Sequence, residues 1–371
     1  MIKNNCLGLV FANMHDIDLN ELTENRTTGS IPFGGRYRLI DFSLSNMVNS
    51  GISTVGIITK HNFASLMDHL GSGRNWDLAR KRGGLVILPP YGRPGTGVYD
   101  GRLEALCNAK GWLEKRKEDY IIISDSNVIA NINFSDVVDY HEKNGADVTM
   151  IYKETETDDI GGEYHIIETE NGHVTDIVRE KGKKGKNKLS LDIIVMRRED
   201  VIDLCTEAQK YALTSFSGDY IRKNIGKINV IGYEFQGFSQ VVNSMKNYYD
   251  CNMELLSSEN SEKLFLADRP VYTKVRDDFP ASYGLEAKAS NSMIADGCII
   301  EGTVENSVLF RGVTVAKGAV VRDSILMQGT SVGENSRLDC VVTDKNVKIT
   351  ADSTLSGSKN YPVYFSKGKT V

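Results

Sequence analysis

Histidines, cysteines and clustered charges are the side chains that usually carry proton transfer, nucleophilic attack or ligand charge, so their spacing narrows the chemistry first. The six histidines, His15, His61, His69, His141, His165 and His173, show no metal-ligand spacing, and none follows residue 173. Cys6, Cys107, Cys205, Cys251, Cys298 and Cys340 stand singly in mostly apolar company, which predicts reduced, buried thiols and no disulfide framework. Lys181-Gly182-Lys183-Lys184-Gly185-Lys186-Asn187-Lys188 has the charge to hold a polyanion, but a glycine-interrupted lysine run between strands reads better as a solvated loop. Lys and Arg total 44 against 49 Asp and Glu, a net charge of −5, so no bulk field draws the chain to nucleic acid or an acidic membrane. Any anion must be bound locally.

The elements that would position such residues fall into two textures. From residue 6 to about 240, β-branched runs alternate with helical spacing, as in a mostly parallel sheet covered by helices. Expected strands are Gly8 to Ala12, Thr54 to Ile58, Tyr120 to Ser124, Asp147 to Tyr152, Leu191 to Met196 and Lys227 to Tyr233. Expected helices are Asp41 to Asn49, Phe63 to Leu70, Leu103 to Lys115 and Phe238 to Leu256, and Glu170-Asn171-Gly172 predicts the turn of an added hairpin. From about residue 288, aliphatic residues recur six apart, as in Val315 and Val321 or Val332 and Leu338, and Val315, Val332 and Ile349 follow one another at 17. Faces so short must stack to bury themselves, which predicts a parallel β-helix of hexapeptide repeats. The expected units are an α/β domain over 1–256, a linker over 257–287 and a β-helix over 288–371. The apolar run ending near Ala12 is too short to span a bilayer and no small-residue cleavage pattern follows it, so the expected location is the cytoplasm.

The string Pro32-Phe33-Gly34-Gly35-Arg36-Tyr37-Arg38-Leu39-Ile40-Asp41-Phe42-Ser43-Leu44-Ser45-Asn46 closely resembles the corresponding run of bacterial glucose-1-phosphate adenylyltransferases (ADP-glucose pyrophosphorylases). The resemblance continues through Asn49-Ser50-Gly51-Ile52, His69-Leu70-Gly71-Ser72-Gly73, Leu88-Pro89-Pro90, Tyr99-Asp100-Gly101 and the repeat-bearing tail, nearly the whole chain. It implies a Rossmann-like nucleotidyltransferase domain, a left-handed β-helix and a tetramer. It also implies attack of a glucose-1-phosphate oxygen on the α-phosphate of ATP, giving ADP-glucose and pyrophosphate. Such a transfer rests on positioning and charge neutralisation, by a glycine-rich loop, an Arg, a Lys and Mg²⁺-holding carboxylates.

Against that pattern the catalytic parts are eroded. The family loop A-G-G-x-G-T-R-L-x-x-L-T is matched by Ala12 to Thr23, with Asn13, Met14 and Asp16 replacing glycines and Asp18 replacing the arginine. Bare amides can no longer cradle phosphates there. Reversing one charge at roughly 4 Å and an effective dielectric of about 20 turns a gain on the order of 4 kcal/mol into a similar cost. Thr28 stands where the family lysine would stabilise the transferring phosphoryl group. Asp125 and Asp219 match the Mg²⁺-associated carboxylates; Asp125 taken alone reads first as a cap or turn residue after a strand, and its place in the matched frame sets a vestigial metal position level with that reading. Glu180-Lys181 matches the sugar-phosphate pair, Ser190 and Asp192 fall in the family's S-M-G run with Asp192 replacing its glycine, and Gly101-Arg102-Leu103-Glu104-Ala105 departs from G-T-A-D-A.

The resemblance is closest to the glycogen-biosynthesis type that serves a catalytic paralogue as a regulatory subunit. It implies little or no activity alone, no required cofactor and at most weak Mg²⁺ binding. The implied partners are the catalytic subunit in a mixed tetramer, or further copies of this chain, with a sugar phosphate or other metabolite as effector. Two alternatives stay open at this level, an active homotetramer using unusual groups and a metabolite-sensing scaffold unrelated to glycogen. An acyltransferase on a β-helix would take a histidine base from that domain, which has none.

Overall fold

A strand that is apolar on both faces belongs inside a covered sheet, and Cys6–Phe11 is buried at every position. The computed structural model, which describes residues 5–14, 19–90, 99, 101–158, 162–211, 213 and 215–371, builds this strand into the centre of a mixed sheet. Its strands are β1 (Cys6–Phe11), β2 (Thr54–Ile58), β3 (Gly84–Leu88), β4 (Tyr120–Asp125), β5 (Val148–Glu156), β6 (Tyr164–Glu170), β7 (His173–Glu180), β8 (Lys186–Arg197) and β9 (Val230–Glu234). They are ordered β3-β2-β1-β4-β8-β5-β9-β7-β6. β3, β2, β1 and β4 pair in parallel, as do β5 and β9, while β8 runs antiparallel to both β4 and β5. The hairpin β6–β7 turns through Asn171 and Gly172, both at positive φ (51° and 84°), as a two-residue turn of the primed type requires.

Helices cover the two faces. α1 (Leu39–Asn49), α2 (Ala64–Leu70) and α4 (Phe134–Lys143) pack Ile40, Leu44, Met47, Leu66 and Val137 against one face, and α3 (Arg102–Leu113) with α5 (Arg198–Tyr211) packs Leu106, Leu113, Val201 and Leu204 on the other. Each such side chain, fully buried, contributes about 1.5–3 kcal/mol. α1 approaches β1 so closely that a Cβ at Gly8 would lie 2.3 Å from Met47 Sδ, which explains a glycine inside this strand. The single helix expected over 238–256 is instead a strand, Ser239–Val241, and α6 (Met245–Glu254). Pairing with Val128–Ala130 claims the first segment, and the Ser244 hydroxyl, accepting from the Asn247 amide at 3.1 Å, starts the helix late.

The C-terminal repeats wind as a left-handed β-helix of three parallel five-stranded sheets. In register, Ile300, Val315, Val332 and Ile349 form one inward column and Val304, Val321, Leu338 and Leu355 another. The residues between them turn the corners in the left-handed region: Asn291, Asn306, Asp323 and Cys340 at one corner, Gly297, Gly312, Gly329 and Asn346 at another. Glycine, Asn and Asp tolerate that conformation best. The stretch 257–287 holds a helix at Ser258–Leu264 and the first coil strand at Ser282–Tyr283. Phe33, Phe42, Tyr248, Val308, Phe310 and Ile325 form an apolar layer joining the domains, and beside it Arg26 donates to both Asp344 oxygens at 2.6 and 2.7 Å, with both side chains 3% exposed.

Candidate functional site

In open α/β sheets ligands bind beyond the carboxyl ends of the parallel strands, here the loops after β1, β2 and β4. Past β1 the described residues are tied down by their own side chains. Asn13, 5% exposed, donates through Nδ2 to the His61 carbonyl at 3.1 Å and accepts from the Lys60 amide at 2.8 Å, so a side chain joins the β1 and β2 loops. Met14 packs on the apolar core beneath α3. Ala12 accepts from the Gly29 amide at 3.1 Å, and Thr28 beside it is buried in a short 3-10 turn. Asp16 and Asp18 lie outside the described residues.

Across this pocket two departures from the family pattern meet. Arg102, the first residue of α3, puts its guanidinium on Asp125 at the end of β4 and, at 3.1 Å, on Asp192. Asp192 sits in a bulge of β8 between Ser190 and Ile193, at φ 52°, the conformation for which a glycine would ordinarily be used. Its amide donates to Ser190 Oγ at 3.1 Å, and its carboxylate lies 3.1 Å from His165 Nδ1. Burial works against the charge on Asp192, but Arg102 and then His165 outweigh it and hold the carboxyl well below the usual range. Burial likewise opposes the charge on Arg102, and Asp125 with Asp192 overcomes it, leaving the guanidinium more firmly protonated than an ordinary arginine.

The structure thus brings Gly101, Ser190, Asp192 and Asp125 together around Arg102. Glu180 closes β7 opposite Tyr164, and Lys181 after it is exposed. Asp219 occupies a π-helical turn, Phe216–Arg222, where Oδ2 accepts from the Ser215 amide at 2.9 Å and Oδ1 from Lys223 Nζ at 2.8 Å. A Mg²⁺ ion does not fit these residues as they stand. A guanidinium already lies on Asp125, both oxygens of Asp219 are engaged, and among the described residues no group of three or more His, Cys, Asp or Glu side chains could hold a metal ion. Nor, among those residues, is any helix long and apolar enough to cross a membrane.

A second concavity lies between the α/β domain and the β-helix, a cleft of about 490 Å³ lined by Arg36, Arg38, Lys274, Arg276, Arg311 and Lys345, with Asp68 among them. The Gly34-Gly35 turn, at φ 55° and 77°, presents Arg36 and Arg38. Arg38 donates to the Ser65 carbonyl at 2.7 Å and its own amide to Asp41 Oδ2 at 2.9 Å, while Asp41 Oδ1 lies 2.6 Å from His69 Nε2. The opposite wall is one column of the β-helix. The Gly329 amide donates to the Arg311 carbonyl (3.1 Å) and the Asn346 amide to the Gln328 carbonyl (2.9 Å), so Arg311, Gln328 and Lys345 stack on successive coils. Burial, reinforced by Arg38 and Arg26, pushes the Lys345 ammonium down to about 7, and burial lowers Arg38 to about 10. Cations crowded this way are suited to an anionic ligand. Sequence reading misses the cleft, whose signals are a lining Lys274-Val275-Arg276 pair and polar residues repeating at the coil period.

Two family models match the chain: Nucleotidyl transferase over residues 18–232, and GlmU-like, C-terminal hexapeptide over residues 279–359. The chain is 33% identical over 371 residues to Glycogen biosynthesis protein GlgD of Bacillus subtilis (strain 168), covering 99% of this chain and 97% of that protein. It is 38% identical over 323 residues to Glycogen biosynthesis protein GlgD of Geobacillus stearothermophilus (86% and 84% covered). Over 376 residues it is 31% identical to Glucose-1-phosphate adenylyltransferase of Bacillus thuringiensis (strain Al Hakam), covering 99% of each.

Proposed function

Because the chain belongs to the glucose-1-phosphate adenylyltransferase family, whose members similar to it include the GlgD glycogen biosynthesis proteins, we propose that it acts in glycogen biosynthesis as a regulatory subunit of a catalytic paralogue. The paralogue would convert ATP and glucose 1-phosphate to ADP-glucose and pyrophosphate. The observation that carries this reading is the filled pocket: Asn13 and Met14 occupy the phosphate loop, and Arg102 bridges Asp125 and Asp192 where substrate charge would have to enter. The cluster holds two carboxylates against one guanidinium, so it repels phosphate groups.

The basic cleft supplies what the pocket has lost. It binds the effector, an anionic metabolite of the sugar-phosphate kind, between the domains, where the ligand bears on both at once. The partner surface includes the first coil of the β-helix, whose Ser282–Tyr283 strand ends its sheet and which exposes Phe279, Tyr283 and Leu285, with Ile299 exposed beside it on the next coil. A subunit that binds the active form of its partner better than the inactive form raises turnover without doing chemistry, and a tenfold effect needs only about 1.4 kcal/mol of differential contact energy. The test is to purify this chain with and without the catalytic subunit, measure mass, and assay ADP-glucose synthesis by each alone and by the mixture. A mixed tetramer with altered turnover or effector response is expected. Separate oligomers with unchanged kinetics would refute the reading.

A further inference from the structure

A pocket that once neutralised substrate charge cannot simply lose its counter-ion, because a carboxylate buried like Asp125, at 1% exposure, is costly without a cation beside it. We propose that Arg102 is the resident cation of this pocket, a guanidinium built into the chain in place of a divalent metal, and that Asp125 therefore has no metal to bind and no response to one. The argument rests on a paired change. In the pattern that the sequence resembles, a threonine stands at the place of Arg102 and a glycine at that of Asp192; the two positions are far apart in the chain, yet their side chains meet at 3.1 Å over Asp125. Either change alone would be unfavourable: the arginine would face one carboxylate with donors left over, and the aspartate would sit beside Asp125 at a backbone angle that disfavours a side chain. Together they balance. Ser190 and His165 complete the arrangement by fixing Asp192 from its amide and from its outer oxygen, so the guanidinium has a rigid seat.

A divalent ion is exchangeable, whereas a guanidinium on a helix is permanent. The pocket then keeps its shape whatever the supply of metal, and this holds whether or not the chain regulates a paralogue. The experiment uses the full chain and Mn²⁺ alone, followed by electron paramagnetic resonance and by thermal denaturation in Mg²⁺ or EDTA. The intact protein is expected to show no saturable Mn²⁺ binding that depends on Asp125 and the same melting temperature in both buffers. Arg102→Thr is expected to melt lower, to gain binding of one Mn²⁺, and to recover part of the lost melting temperature when Mg²⁺ is added. Arg102→Thr with Asp125→Asn should lose that binding and recovery. Arg102→Lys, which restores a single charge without the fork, should recover part of the stability with no Mn²⁺ bound. One Mn²⁺ bound by the intact chain and lost in Asp125→Asn would overturn the proposal, as would a folded Arg102→Thr variant that neither melts lower nor takes up metal.

Discussion

The pocket at the end of β1 and the cleft under the β-helix are both placed to receive charged ligands, yet they have been built in opposite directions. At the centre of the pocket the described polar groups are spent on one another: Arg102 lies on two carboxylates and Asn13 on backbone, so a ligand would have to break existing bonds before making its own. In the cleft Arg36 and Arg38 crowd together with Lys345, whose ammonium burial weakens, and with Arg276 and Arg311, which reach Asp278 and Asp296 only at 3.4 to 3.9 Å; the cations still outnumber the lining carboxylates, so an anion would relieve repulsion already present. The contrast teaches that surplus like charge, rather than charge as such, marks a site still open to a ligand.

The comparison breaks most plainly if the pocket works. Losing one electrostatic stabiliser in a transfer site costs about 10² to 10³ in rate, and several are altered here, so the isolated chain should make ADP-glucose at least about 10³ times more slowly than an active family member. A radiometric or coupled assay of the pure chain decides it, and Asp18→Arg alone should leave the rate negligible. Next in size is the link between the two regions. Asp344→Ala strands the buried Arg26 guanidinium and should lower stability by about 3–5 kcal/mol, measured by urea denaturation. Within the cleft, Arg36→Glu with Arg311→Glu removes contacts of about 1.5–3 kcal/mol each and should weaken binding of inorganic pyrophosphate by at least about tenfold in calorimetry, whereas Arg102→Lys should leave it unchanged. The smallest effect is on pH. With the Lys345 ammonium lowered to about 7 by burial, then by Arg38, Arg26 and Lys367 against the opposing Asp344, anion binding above that pH must take up a proton. Affinity should therefore fall as pH rises beyond 7, by at most about tenfold per unit. The same lowered value has a stability consequence of opposite direction: the cost of burying the charged amine is full below pH 7 and disappears as pH climbs toward about 10.4, the unfolded value.

The architecture was legible because its periods are physical. Val315, Val332 and Ile349 are spaced by the coil itself, and all three fall in the observed column. Thr54 to Ile58 was readable as a strand because burial on both faces leaves no polar position to blur it. Ser239 to Val241 was not, since its strand pairing with Val128–Ala130 depends on a partner more than 100 residues away. That Asn13, Met14, Asp16 and Asp18 depart from a glycine-rich phosphate loop was visible from residue types alone. What filled the space was not, because Arg102 and Asp192 each look like an isolated departure until the fold sets them side by side. The Lys181 to Lys188 run, expected as a solvated loop, is only half one: Lys186 to Lys188 open β8, and Lys188 Nζ donates to Thr169 Oγ1 at 2.6 Å. Adjacent charges usually separate into solvent, whereas the cations that gather in the cleft come from Arg36, Arg276, Arg311 and Lys345, spread along most of the chain.

The wall that Arg311, Gln328 and Lys345 make has a consequence for inheritance. Gain or loss of one whole 17-residue coil would leave each inward aliphatic in its column and each corner residue at its corner, while changing which rung faces Arg36. A gain or loss of one residue would instead turn the aliphatic column toward solvent. Ligand preference at this wall can therefore be altered between descendants in steps of a complete coil, a mutation large in the gene and small in the core.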